Sequence, residues 1–103
     1  MFKNYRKIKQ VIAGKRYTLF VANTNAKKRK GLSGIKSIPH NFGMLFPYNE
    51  ELSGRSFTMK NVLFPLRIIF LDKEMKIVHQ VKAMPGQKSI FCTKPSMYVI
   101  EIK

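Results

Sequence analysis

At 103 residues the chain has room for one domain with a modest core, and 45% hydrophobic residues argues against overall disorder. The balance of 20 Lys and Arg against 5 Asp and Glu, a formal charge of +15, points to an acidic neighbour: nucleic acid, an anionic membrane or an acidic protein surface. A single cysteine, Cys92, excludes an internal disulfide framework and a cysteine-based zinc site, and the few scattered acids exclude a paired-carboxylate mechanism.

Lysine supplies 15 of the cations and arginine 5, and Asn, Ile and Phe are common. AT-rich coding would give the same bias with no binding role, so the charge alone does not define a function.

The N-terminal segment MFKNYRKIKQVIAGKRY is basic but has no apolar run long enough for a signal peptide. Ile68–Leu71, the longest apolar run, is far too short to span a bilayer. The expectation is a chain without a signal peptide or membrane partner, in the cytoplasm or within a virion.

In chain order, Ile8–Ile12 and Tyr17–Ala22 flank Ala13–Gly14–Lys15–Arg16 and predict a β-hairpin. Alternation in the second strand puts Tyr17, Leu19 and Val21 on one face and Thr18, Phe20 and Ala22 on the other. Asn23 or Thr24 is placed to N-cap a short helix ending near Gly31 or Gly34. Its body, Lys27–Lys28–Arg29–Lys30, puts cations in the first turns, against the helix dipole. Local stability given up in this way is what a binding surface can require.

A loop follows over Ser37–Phe42, then a short buried strand at Gly43–Phe46 and a second loop from Pro47 to Gly54, which holds Glu50 and Glu51. The run SFTMKNVLFPLRIIFLD is the most apolar part of the chain, yet it contains Lys60, Asn61, Pro65 and Arg67. Pro65 cannot donate to a ladder, so the run divides into a strand at Arg55–Met59 and another at Leu66–Leu71, with Lys60–Asn61 turning out between them. Arg67 then sits at the rim of an apolar face and must reach solvent or a partner. Asp72–Met75 is a turn and Lys76–Val81 a strand. Lys82–Ser96 is loop-rich, and Met97–Ile102 closes the chain with Tyr98, Ile100 and Ile102 on one face. The fold class is mainly β: six to seven short strands and one short α-helix, as a small barrel or sandwich.

Several segments of this pattern resemble the domain of unknown function 192 family. They are Val21–Ala22–x–Thr24, the basic Lys28 or Arg29 before Gly31–Leu32, Gly43–Met44–Leu45–Phe46, Phe57–x–Met59–Lys60–Asn61 and Pro65–Leu66–x–Ile68–Ile69–Phe70–x–Asp72. The resemblance covers about residues 8–102. It implies a compact β-rich domain with a short helix after the second strand, and no established activity, cofactor or catalytic residue. Three positions depart from it. Thr58 stands where the family usually has Trp, Arg67 where it has Asp, and Lys27 and Lys28 where acids are common. If the family's Lys–Asn and Asp form one polar site, its charge is reversed here, with Lys60 and Arg67 together. An anion-binding role then gains over a cation-binding or acid–base one. Many members look exported, whereas this chain shows no such segment.

His40 and His79 lack a Cys, His or Asp at ligand spacing, and Cys92 lacks a nearby base, so no metal, cofactor or nucleophile is expected. No Gly-rich phosphate loop is present. Lys27, Lys28, Arg29 and Lys30, followed by Lys36, read either as phosphate contacts or as a solvated helix face. Lys60, Asn61 and Arg67 form a second candidate anion site, or else Lys60 and Asn61 merely cap a strand end. Phe2, Tyr5 and Tyr17 interleave with cations in a way that would suit base stacking, although Tyr17 fits the core. The expectation is a non-enzymatic basic module that engages nucleic acid or an acidic protein surface, with no small-molecule substrate. The alternative is a structural or accessory subunit of a large assembly such as a virion.

Overall fold

A computed structural model describes residues 2–103. Eight strands and one helix follow in the order β1 (Arg6–Ile12), β2 (Lys15–Val21), α1 (Asn25–Lys30), β3 (Phe42–Leu52), β4 (Arg55–Phe57), β5 (Leu66–Leu71), β6 (Ile77–Ala83), β7 (Ile90–Cys92) and β8 (Ser96–Ile102). Six strands form one sheet in the order β1-β2-β3-β8-β5-β6, while β4 and β7 pair as a separate ribbon. Only β2 and β3 run parallel, and α1 lies in the crossover that such a pair requires.

The predicted hairpin forms with Ile12 opposite Lys15 and a two-residue turn in which Ala13 (φ 51°) and Gly14 (φ 80°) are both left-handed. That is the turn whose twist matches the strands it joins. β5 begins at Leu66, immediately after Pro65, as the ladder argument requires. β3 runs on through Pro47 to Leu52, where a loop was expected, with a register shift between Pro47 and Leu52 along β8. The eighth strand, β7, lies in the segment read as loop and pairs Ile90, Phe91 and Cys92 with β4.

The large sheet is open at β1 and β6, so of the two expected architectures it is the sandwich-like one, not the closed barrel. One face buries Met44, Phe46, Ile68, Phe70 and Val99 beneath Leu32, Met59, Val62 and Phe64 and the β4–β7 ribbon. Phe57 meets Phe46 and Phe70 edge-on at 5.3 and 5.9 Å, fastening β4 to this face. The other face buries Leu19, Leu45, Ile69, Ile100 and Ile102. Among the described residues, that second cluster draws on the sheet's own strands plus Met75 in the β5–β6 turn. The sheet must therefore curl to cover itself. Being central, β8 is buried on both sides.

Candidate functional site: a cationic cavity floored by Glu101

Thr24 is the N-cap of α1, its Oγ1 accepting from the Lys27 N–H at 3.1 Å, and Gly31 is the C-cap with φ 50°. The two caps fix a helix of only six residues, too short to persist by itself. Opposite it, Met59 is fully buried, and the Lys60 N–H donates to Thr58 Oγ1 at 3.1 Å. Asn61 is left-handed (φ 62°), and its carbonyl accepts from the Gly34 N–H at 2.8 Å, tying this turn to the segment after α1.

Between α1 and the 58–62 turn lies a cavity of about 430 Å³. Lys28, Arg29, Lys30 and Lys60 line it, with Ser56 and Thr58. Its apolar wall includes Phe46, Phe57 and Val62. Its floor is Glu101, 4% exposed, on β8 between Met44 of β3 and Ile68 of β5. A Cβ on Gly31 would stand 3.9 Å from Glu101 Oε1 and 3.7 Å from the Phe46 ring, so glycine here leaves the space above the carboxyl open.

Burial pushes the Glu101 carboxyl from 4.5 up to about 8. Tyr48, also in the cavity wall, carries two cations against its ring: Lys28 Nζ at 4.2 Å and the Arg55 guanidinium at 3.7 Å from the centroid. Arg55 is held there by its Nε donating to the Ser96 carbonyl at 3.0 Å. Burial, and after it the neighbouring Arg55 charge, lowers the Lys28 pKa. Burial raises the Tyr48 phenol, with Arg55 opposing and Glu101 adding.

The eight residues read as an anion site thus divide. Lys28, Arg29, Lys30 and Lys60 come together around the cavity. Lys27 turns to the N-terminal segment, its ammonium donating to the Asn4 carbonyl and lying 4.9 Å from the Tyr5 ring centroid. Lys36 is exposed in the segment between α1 and β3, and Asn61 serves the turn through its backbone. Arg67 corrects an expectation: it does not join Lys60. It is exposed at the rim of the sheet face that carries Ile69 and Leu71, whereas Lys60 lines the cavity over the Ile68 face. Strand alternation separates the two.

The aromatic residues proposed for base stacking are used internally. Phe2 stacks on Phe20 at 4.3 Å, Tyr5 meets Phe2 edge-on at 5.1 Å, and Tyr17 is buried. Cys92 is buried, its thiol 3.4 Å from the Lys94 carbonyl.

The sequence by itself does not mark Glu101, Tyr48 or Arg55. Tyr48 falls in the segment Pro47–Gly54, which reads as a loop. Glu101 sits on the side of β8 opposite Tyr98, Ile100 and Ile102, which reads as solvent-facing unless the strand is central. The available signal was a lone acid inside the apolar run Val99–Ile102.

Residues 8–103 match the sequence pattern of the domain of unknown function 192 (DUF192, Uncharacterized ACR). The chain belongs to this family. No curated protein matches it. Two crystal structures are similar in fold. One is a protein of unknown function from Novosphingobium aromaticivorans DSM 12444, 24% identical, with a TM-score of 0.80 over 96% of this chain and 73% of that one. The other, from Sinorhizobium meliloti 1021, is described as a "putative transcription regulator" and is 25% identical, with a TM-score of 0.79 over 96% of this chain and 79% of that one.

Proposed function

We propose that this DUF192 chain is a non-enzymatic binding module whose cationic face engages an anionic partner, nucleic acid first among them. The observation that carries this reading is the convergence of Lys28, Arg29, Lys30 and Lys60, from two separate segments, on one cavity. Among the described residues, the only acid lining that cavity is Glu101, whose carboxyl burial keeps largely protonated at neutral pH. The face therefore keeps its positive potential, which draws in phosphate groups and releases their counterions. The description of the Sinorhizobium protein as a "putative transcription regulator" agrees with a nucleic-acid partner.

The test is binding of the purified chain to labelled single- and double-stranded nucleic acid across a salt series. Changing Lys28, Arg29, Lys30 and Lys60 together to Gln should flatten the slope of log affinity against log salt by roughly three units. Absence of binding at low salt overturns the nucleic-acid reading and turns the search to an acidic protein surface, including that of a larger assembly.

A further inference from the structure

The floor of the cavity has a property that a phosphate-contacting surface does not need. Glu101 is buried between the apolar side chains of Met44 and Ile68, with no side chain above it at Gly31. Among the described residues, no donor hydrogen-bonds to its carboxyl. The only fully enclosed side-chain polar atom without a partner among them is Ser96 Oγ, so the Glu101 oxygens open onto the cavity rather than being sealed in the core. Raised to about 8 by burial, the carboxyl holds its proton at neutral pH and presents both an O–H donor and a carbonyl acceptor.

The occupant must suit both ends of the cavity. A metal ion or an ammonium group is excluded by the cations at the mouth. A bare anion satisfies the mouth and can accept from the carboxyl O–H, but it leaves the carboxyl's carbonyl oxygen and the apolar wall unpartnered. A molecule with an anionic end and hydroxyl groups satisfies both, and several cations favour a dianion over a monoanion. Phe46, Phe57 and Val62 supply apolar wall for its carbon skeleton. The volume, about 430 Å³, is in the range of small-molecule sites.

We propose that this cavity binds a sugar phosphate, the phosphate held by Lys28 and Lys60 at the mouth and a sugar hydroxyl paired with the Glu101 carboxyl at the floor. The proposal rests on reading the Lys28–Lys60 face as anion-binding and adds the class of ligand. Its source is either a free sugar phosphate or the phosphorylated end of a nucleic acid.

Isothermal titration of the full chain with ribose 5-phosphate, inorganic phosphate and ribose tests it. Ribose 5-phosphate should bind at least about tenfold more tightly than phosphate, the factor for one well-made polar contact, and ribose should give no saturable heat. Glu101→Leu should abolish that preference while leaving the phosphate affinity in place. Glu101→Gln, whose amide also donates and accepts, should keep most of it. Should Glu101→Leu fail to fold, protection of the Lys28 and Lys60 amines from acylation by ribose 5-phosphate, read by mass spectrometry, tests the wild-type chain directly.

Equal affinity for ribose 5-phosphate and phosphate, or an unchanged preference in Glu101→Leu, overturns the proposal. Salt-dependent nucleic-acid binding without ribose 5-phosphate binding overturns it but leaves the anion-binding reading standing; loss of both overturns both. Displacement of ribose 5-phosphate by a 5′-phosphorylated oligonucleotide, but not by its 5′-hydroxyl form, supports the site with a nucleic-acid end as the source. Binding without such displacement supports it with a free sugar phosphate.

Discussion

Gly43 on β3 lies against the backbone carbonyl of Glu101 on β8 so closely that no side chain fits between them. A Cβ at position 43 would overlap that carbonyl, fall 2.6 Å from Ile102 Cγ2 and stand 3.1 Å from Leu19 Cδ2. Backbone cannot yield as a flexible side-chain end can. Gly43→Ala should therefore destabilise the protein by roughly 1–3 kcal/mol, the usual cost of overpacking a core. Urea denaturation would show it as a lower midpoint at unchanged slope. A midpoint equal to wild type would mean that β3 and β8 can separate without cost.

Glu101 also governs how stability depends on pH. Its carboxyl is raised in the folded chain to about 8 from 4.5. A raised pKa means that the folded state binds its proton more tightly than the unfolded state. The stability linked to that proton is fully present below about 4.5 and is lost as pH rises towards 8. Replacing Glu101 with Gln removes the titration. The variant should gain on the order of 2–4 kcal/mol over wild type on going from pH 5 to pH 9. Thermal or urea melts of both proteins at the two pH values would check this, and parallel pH profiles would refute it.

Thr24 acts on the site through backbone geometry alone. Thr24→Ala removes the hydroxyl that accepts from the Lys27 N–H and should cost about 1 kcal/mol of local stability. Because α1 carries Lys28, Arg29 and Lys30, fraying it should weaken anion binding with the net charge unchanged. Thr24→Ser should restore both. Affinity unaffected by Thr24→Ala would show that the helix does not need to be held for binding.

Lys60 and Arg67 provide a comparison at equal charge. Lys60 lines the cavity, whereas Arg67 lies on the other face of the sheet. Lys60→Gln should reduce the salt slope of nucleic-acid binding by about 0.7–0.9, and Arg67→Gln should leave it unchanged. Equal effects would mean that overall charge, not the cavity, drives association.

The sequence by itself determined most of the local structure. The segment Ala13–Arg16 marks the β1–β2 turn, of which the structure uses Ala13–Gly14; Asn23 or Thr24 and Gly31 or Gly34 mark the ends of α1, of which it uses Thr24 and Gly31; and Pro65 marks the start of β5. These are short-range effects of allowed dihedrals and missing donors, and neighbouring residues suffice to state them. The cationic half of the site was legible in the same way, since Lys28, Arg29 and Lys30 are consecutive.

Tertiary structure alone decided the rest. Pairing β8 between β3 and β5 buried both of its faces, which turned Glu101 from an outward-facing acid into a neutral carboxyl under a cavity. The same strand order put Lys60 and Arg67 on opposite faces and brought Tyr48 and Arg55 against Lys28. Burial and proximity depend on which distant strands become neighbours, and no window of local sequence encodes that choice.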